Sequence, residues 1–254
     1  MNFDYATFEA LLPFIAVGFG AQLIDGALGM AFGVISNTLL VSFLGVPPKQ
    51  GSAAVHLVEM FTTAASGISH VIHRNVDWWL FVRLVVPGII GGVAGAYVLV
   101  SLDASVTRPF VMAYLSLIGI YLLARSFGVT PHPRRPRVIA PLGLVGGFLD
   151  AAGGGGWGPV VTSNLLLQGS DPRKTIGTVN TAEFFLTTSI SIAFIVGIGF
   201  EAFTTATIGL LIGGIAAAPF GALLAKRIPA ILLLRLVGIV LTATSAFSLW
   251  RAFA

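Results

Sequence analysis

The sequence predicts an all-α polytopic membrane protein made of two inverted-topology repeats, each with about five hydrophobic segments. Three observations predict this fold class: the scarcity of charge, a series of apolar segments of membrane-spanning length, and two halves that align with each other. Of the 254 residues, 56% are hydrophobic and 9% are charged, and the mean hydropathy is +0.95. A soluble domain carries about 25% charged residues, so the composition excludes a soluble enzyme. The absence of cysteine excludes disulfides and thiolate chemistry.

Apolar segments follow one another along the whole chain. In the first half they cover roughly 11–30, 31–45, 51–72, 79–101 and 107–125. In the second half they cover roughly 138–152, 157–169, 176–198, 203–225 and 228–250. Several contain about 20 residues, which is the length of a helix that crosses ~30 Å of hydrocarbon. The segments at 31–45, 138–152 and 157–169 are shorter and are therefore tilted, broken or re-entrant, which leaves about 8–10 transmembrane helices.

A basic, proline-rich linker at 126–137 separates the two halves. It interleaves three prolines with three arginines. Proline ends helices, and arginine clusters mark the cytoplasmic side of a membrane protein. When this loop is placed inside and the segments alternate, eleven basic residues fall inside and three outside. The net charge of +4 therefore reflects loops that face lipid at the cell's inner or plasma membrane, and no nucleic-acid partner is expected. The chain divides into a first repeat (1–125), the cytoplasmic linker and a second repeat (138–254).

Blocks of the first half recur in the second half at nearly one offset. Residues 25–33 align with 150–158 at a shift of 125 residues, and 48–61 align with 172–185 at a shift of 124. Because each half has an odd number of segments, the halves are predicted to lie in opposite orientations. Inverted repeats allow a central site to open alternately to the two sides, which favours a secondary transporter over a channel, a receptor or an enzyme.

Four acidic residues lie inside apolar segments and form two repeat-related pairs. They are Asp25, Asp150, Glu59 and Glu183. A charged group at the bilayer centre costs ~2.5–3.5 kcal/mol on insertion scales, so each needs a partner, a proton or a role. We expect them to act in proton coupling or gating. Two alternatives stay open: the aspartates cap the helices that follow them, and the glutamates hydrogen-bond to a facing helix.

His56 and Asn180 occupy equivalent positions, three residues before Glu59 and Glu183 respectively. This spacing places each on the same helix face as its glutamate. We therefore predict both at the substrate site, where His56 is either a proton relay or a structural partner. A single His-x-x-Glu without a second histidine nearby does not indicate a metal site, and no cofactor is expected.

The run Gly153-Gly154-Gly155-Gly156-Trp157-Gly158-Pro159 is expected to break a helix. Glycine disfavours helix and proline suits a first turn, so we predict one helix ending near Asp150 and another starting near Pro159. The first N–H groups of that new helix form a predicted anion site, unless the glycines serve only close packing. The predicted substrate-binding residues are Gly154, Gly155, Gly156, Trp157, Gly158, Thr162, Ser163 and Asn164, with Gly29, Gly33, Asn37 and Thr38 from the first half and His56 and Asn180.

Several of these motifs resemble the sulfite exporter TauE/SafE family. They are the glycine run after Asp150, the Gly177-Thr178-Val179-Asn180 segment, the Val46-Pro47-Pro48 turn and the Val76-Asp77-Trp78 loop. The resemblance covers nearly the whole chain and implies a plasma-membrane permease for sulfite or an organosulfonate, with other small anions open. The expected partners are this anion and the lipid bilayer, and a homo-oligomer stays open. An anion channel is the alternative, whereas a membrane enzyme is disfavoured because no base–nucleophile pair has a useful spacing.

Overall fold

The computed structural model describes residues 5–28, 30–128, 135–202, 204–227 and 230–253, and all regular elements within these ranges are helical. The first half contains α1 (Tyr5–Leu28), α2 (Phe32–Ser42), α3 (Pro48–Ile72), α4 (Trp78–Ser101) and α5 (Ala104–Arg125). The second half contains α6 (Ala140–Gly153), a π-helical turn (Trp157–Thr162) that continues into α7 (Ser163–Leu167), α8 (Pro172–Ile198), a 3₁₀ turn (Gly199–Ala202), α9 (Thr205–Arg227) and α10 (Ala230–Phe253). Residues 129–134 of the predicted linker lie outside the described ranges.

The helices follow the predicted segments, and the glycine run shows the clearest difference. Helix α6 continues to Gly153 and the next helical turn starts at Trp157, so the break is shorter than predicted. The N–H groups of Gly154 and Gly155 both donate to the carbonyl of Asp150, which closes the last turn of α6. Gly154 to Gly156 have φ of 71°, 137° and 155°, a region that residues with a Cβ rarely adopt.

The described helices have the composition of membrane spans. Three are long and apolar enough to cross a bilayer, at Trp78–Ser101, Ala104–Arg125 and Lys174–Ile198. In α4, Val82, Val86 and Ile90 are more than half exposed, whereas Leu84 and Gly91 are buried. A helix that exposes branched apolar side chains and buries small residues suits a lipid solvent. The fold is therefore that of a multi-pass, all-helical membrane protein.

Helices from the two halves pack against each other throughout the fold. Helix α3 packs on α8, α1 on α9 and α5 on α10, while α4 packs on both α6 and α8. Two of these contacts are close because of glycine: a Cβ on Gly91 would lie 1.9 Å from the carbonyl oxygen of Leu144, and one on Gly213 would lie 2.1 Å from that of Ile15. The eleven-residue α2 is buried along most of its length, so protein surrounds it.

Candidate functional site

The two chain breaks, one before α2 and one after α6, touch at the centre of the fold. A Cβ on Gly33 would lie 3.0 Å from the Cα of Gly155. A Cβ on Gly155 would lie 2.4 Å from the backbone nitrogen of Val34. Both distances are shorter than ordinary van der Waals contact, and at Gly155 the 2.4 Å distance to backbone leaves no room for a side chain. Gly29, which was also predicted to contribute to the site, lies outside the described residues.

A small cavity of about 10 Å³ lies where the breaks meet. The residues that line it come from both halves and include all four intramembrane acids. They are Asp25, residues 30–34, Glu59, Asp150, Gly156, Gly158, Pro159 and Glu183. A space of this size holds about one water molecule. The cavity in the observed conformation is therefore too small for a molecule larger than water.

Both aspartates cap the helical turn that follows them. Oδ1 of Asp25 accepts hydrogen bonds from the N–H groups of Ala31 (2.7 Å) and Phe32 (3.1 Å). Oδ1 of Asp150 accepts from the N–H of Trp157 at 2.8 Å. Phe32 and Trp157 are equivalent in the sequence alignment of the halves, so the two caps correspond. The N–H groups of Ala31, Phe32 and Trp157, at the starts of the two new helical segments, are thus hydrogen-bonded to carboxylates.

The carbonyl end of α6 is buried and obtains its donors from three other helices. The hydrogen bonds run from Ser52 Oγ to Ala151 O (2.7 Å), from Asn37 Nδ2 to Gly153 O (2.8 Å) and from the Tyr114 hydroxyl to Gly155 O (3.1 Å). Backbone carbonyls left without donors inside a membrane protein would cost several kcal/mol each. These side chains therefore allow a helix to end deep within the fold. Sequence reasoning missed Ser52 and Tyr114, since neither lies in a motif.

His56 connects α3 to the cap of the second half. Its Nε2 lies 3.0 Å from Oδ2 of Asp150, and both side chains are almost completely buried. Its Nδ1 lies 2.7 Å from the carbonyl oxygen of Ser52. A carbonyl only accepts hydrogen bonds, so Nδ1 carries a hydrogen. His56 thus pairs with an aspartate, and the glutamate one turn along its own helix is not its partner.

Asn180, the counterpart of His56, makes a different contact. Its Nδ2 donates to the carbonyl oxygen of Ile176 on its own helix at 3.1 Å. An amide does not titrate, so the second half lacks the histidine chemistry of the first. The site therefore departs from two-fold symmetry at this position.

Glu59 lies among the other three intramembrane acids. Its side chain is 6% exposed, and its Oε2 has no hydrogen-bond partner among the described residues. The charges that act on it are the carboxylates of Glu183, Asp150 and Asp25. Across the described part of the chain, no group of three or more His, Asp or Glu side chains is arranged to hold a metal ion. The cluster is therefore a set of neighbouring carboxylates with a shortage of compensating positive charge.

Several of the predicted ligands are buried with free polar atoms. The hydroxyls of Thr162 and Thr38 and the Oδ1 of Asn37 have no hydrogen-bond partner within the described ranges. Unpartnered buried polar groups are uncommon in proteins and often indicate a missing ligand or water. These three side chains lie on equivalent stretches of the two halves, just after the two breaks.

Ser163 and Asn164 already have protein partners. The Asn164 side chain donates to the carbonyl oxygen of Val160 at 2.7 Å. The Ser163 hydroxyl accepts a hydrogen bond from Arg125, at the end of α5. Sequence analysis assigned Arg125 to a cytoplasmic loop and did not connect it with the predicted ligands. The structure adds this guanidinium to the residues around the second break.

Trp157 is fully buried against protein. Its indole N–H donates to the carbonyl oxygen of Val179 at 3.3 Å. A Cβ on Gly88 would lie 2.7 Å from the indole ring, so the ring packs directly against the backbone of α4. The ring thus locks the start of the π-helical turn onto α4 and α8. At the break itself, Trp157 contributes only its backbone N–H, which donates to Asp150.

Comparison with known proteins places this site in a family. The family model described as "Sulfite exporter TauE/SafE" matches residues 14–248, a range that includes both chain breaks and all four acids. The chain belongs to this family. The resemblance found in the sequence motifs is thereby confirmed.

A curated relative of this TauE/SafE protein supports the same conclusion. The chain is 42% identical over 256 residues to the "Probable membrane transporter protein YtnM" of Bacillus subtilis, covering 96% of this chain and 85% of the relative. No solved structure matches the chain. Together with the apolar helices, family and relative identify a multi-pass membrane transporter.

Proposed function

We propose that this TauE/SafE protein is a secondary transporter that moves a small anion, sulfite or an organosulfonate, across the cell's inner or plasma membrane by alternating access. The observation that carries the proposal is the meeting of two chain breaks, one from each half, at an acid-lined cavity. Broken helices near the bilayer midplane form the substrate sites of many inverted-repeat transporters. The family description makes sulfite the first substrate to test.

The proposed halves are 1–125 and 138–254, in opposite orientations, with the linker 126–137 on the cytoplasmic side. The helix pairing supports this arrangement. Helix α1 packs on α9 as its counterpart α6 packs on α4, and the equivalent helices α3 and α8 pack on each other, as do α5 and α10. A two-fold axis in the membrane plane would generate these pairs. The corresponding aspartate caps are related in the same way.

We assign the substrate ligands, of which Gly29 lies outside the described residues, to residues in and after the two breaks. They are the backbone of 154–158 with Thr162, Ser163 and Asn164, the first-half residues Gly29, Gly33, Asn37 and Thr38, and His56 and Asn180. The free hydroxyls of Thr162 and Thr38 support this assignment because each has a donor to offer. Arg125, bonded to Ser163, supplies positive charge on the path to the site.

Proton coupling follows from the charge of the cavity. An anion that enters the space lined by Asp25, Asp150, Glu59 and Glu183 meets carboxylates, and like charges repel strongly where water is scarce. Proton uptake by the carboxylates removes this repulsion. We therefore infer that the anion and protons occupy the site together, and that the four acids serve in coupling or gating.

Purified protein in proteoliposomes tests the proposal. Sulfite, sulfoacetate and sulfate are each supplied with and without an inward proton gradient, and empty liposomes serve as the control. The expected result is saturable sulfite or sulfoacetate flux that shows counterflow and accelerates with the proton gradient. Single-channel conductance steps in a planar bilayer would instead establish an anion channel. Absence of flux for all three anions would contradict the substrate class.

A further inference from the structure

The hydrogen bonds of His56 determine how many protons the His56–Asp150 pair holds. Nδ1 carries a hydrogen because it faces the carbonyl oxygen of Ser52 at 2.7 Å. The 3.0 Å contact between Nε2 and Oδ2 of Asp150 needs a second hydrogen, either on the imidazole or on the carboxyl group. Without it, two lone pairs would face each other in a buried site. The observed contact therefore contains one proton more than neutral histidine plus ionised aspartate.

We propose that His56 and Asp150 form a proton-binding site whose proton holds the transporter in the compact conformation, and that release of this proton breaks the contact between α3 and the Asp150 side chain. This deepens the proposed transport function and rests on it. On release, one N–H or O–H bond breaks and the proton passes to water, while the pair changes from neutral to a net charge of −1. The remaining lone pairs repel, so the contact separates.

Other titratable side chains lie around the pair. The titratable side chains that interact with Asp150 are Glu59 of α3, Tyr114 of α5 and Glu183 of α8. Asp25 of α1 lines the same cavity. Three of these are carboxylic acids. Loss of the shared proton would add a negative charge beside them in a water-poor space, which makes proton release the step that drives the site apart.

The movable element is the break itself. Asp150 holds the N–H of Trp157 with its other oxygen, Oδ1, so the pair and the start of the π-helical turn share one side chain. Separation of His56 from Asp150 would therefore remove the link between α3 and the side chain that holds Trp157, and would leave the bond from Ser52 to Ala151 O to hold the end of α6. The equivalent residue on α8, Asn180, cannot bind a proton in the same way. Its amide does not titrate, and its Nδ2 donates to the carbonyl of Ile176. Within the described residues, a histidine–aspartate contact of this kind is therefore found at the second break and has no equivalent at the first.

Site-specific cysteine labelling tests the proposal without substrate. The chain has no native cysteine, so a single Val34→Cys variant reports opening of the cavity that this residue lines. A membrane-impermeant maleimide is applied to proteoliposomes between about pH 5 and about pH 8, the range in which imidazoles titrate. The labelling rate of Val34→Cys at each pH is divided by the labelling rate of the double variant Val34→Cys/His56→Asn at the same pH. This ratio cancels the effect of pH on ionisation of the thiol. Ala31→Cys replaces Val34→Cys if the latter does not fold.

The matched control is His73→Asn. The Nδ1 of His73 bonds to the carbonyl of Ser69, four residues earlier, just as His56 bonds to the carbonyl of Ser52. His73 is exposed, however, and among the described residues no aspartate bonds to it. The ratio of the two labelling rates should be low at acidic pH and should rise about tenfold at alkaline pH. A tenfold rise corresponds to the loss of one hydrogen bond between charged groups. Asp150→Asn should remove the rise and His73→Asn should preserve it.

Each outcome separates this proposal from the transport function. A ratio that does not change with pH, or a rise that His73→Asn also abolishes, overturns the proton site. If labelling is independent of pH but responds to added sulfite, transport stands and the proton site is wrong. If labelling follows the predicted pattern but no anion is carried, the proton site stands and the substrate class is wrong.

Discussion

A Cβ on Gly33 would lie 3.0 Å from the Cα of Gly155, so the backbones of the two chain breaks are in contact at these two glycines. This contact joins the starts of two helical segments from different halves of the protein. We expect a motion that opens the central cavity to separate these two glycines. Their contact therefore connects local backbone geometry directly to the proposed transport cycle.

Gly155→Ala should destabilise the protein and abolish transport. The methyl group would face the backbone of Gly33 and Val34 at 2.4 Å, and φ at this residue is 137°. We expect a loss of about 1–3 kcal/mol from overpacking in addition to the backbone strain. The measurement is thermal unfolding in detergent together with sulfite flux. Gly45→Ala is the control, because Gly45 also has positive φ but has open space around it; equal losses in both variants would show that backbone strain alone matters.

Glu59→Gln should weaken the response of transport to pH. The amide keeps the size of the buried side chain but cannot take up a proton. Flux of the variant at acidic pH should fall to the level that the wild type shows at alkaline pH. The measurement is initial flux across a pH series, with Glu9→Gln at the exposed start of α1 as the control. A full pH response in Glu59→Gln would exclude this carboxyl group from coupling.

Asp25→Asn and Asp25→Ala should separate capping from charge. The asparagine oxygen can still accept from the N–H groups of Ala31 and Phe32, whereas alanine cannot. Asp25→Ala should therefore lower stability by about 0.5–2 kcal/mol, and Asp25→Asn by much less. Thermal unfolding and flux are measured for both. If Asp25→Asn transports with unaltered pH dependence, the aspartate acts as a cap only.

Thr162→Val should weaken substrate binding and leave stability unchanged. Its hydroxyl has no partner in the described part of the protein, so removing it breaks no internal hydrogen bond. If the hydroxyl binds the anion, KM should rise about threefold to tenfold. The control is Thr244→Val, whose exposed hydroxyl bonds its own helix. An unchanged KM would remove Thr162 from the binding site.

Tyr114→Phe should loosen the second break. The variant loses the 3.1 Å hydrogen bond to the carbonyl of Gly155, and we expect a loss of about 0.5–1.5 kcal/mol. Tyr97→Phe provides the comparison, since Tyr97 is 74% exposed on the lipid-facing side of α4. The thermal unfolding of the two variants is compared. Equal losses of stability in Tyr114→Phe and Tyr97→Phe would contradict a specific role for Tyr114.

The sequence by itself determined the membrane class, the helix ranges and the positions of the intramembrane acids. These are properties of composition and of segment length, which do not depend on how helices pack. The glycine run was found for the same reason, because glycine and proline act on their own backbone. Even there, α6 extends to Gly153 instead of ending near Asp150, since its terminal carbonyls find donors on other helices.

Only the tertiary structure decided which partners the acids have. His56 and Asp150 are 94 residues apart and meet because α3 packs against the end of α6. The sequence left two roles open for Asp150, a helix cap or a proton-binding group. In the fold, one carboxylate oxygen accepts the N–H of Trp157 and the other faces His56. A carboxylate presents its oxygens in two directions, and what lies in each direction depends on helix packing. No local sequence pattern encodes that geometry.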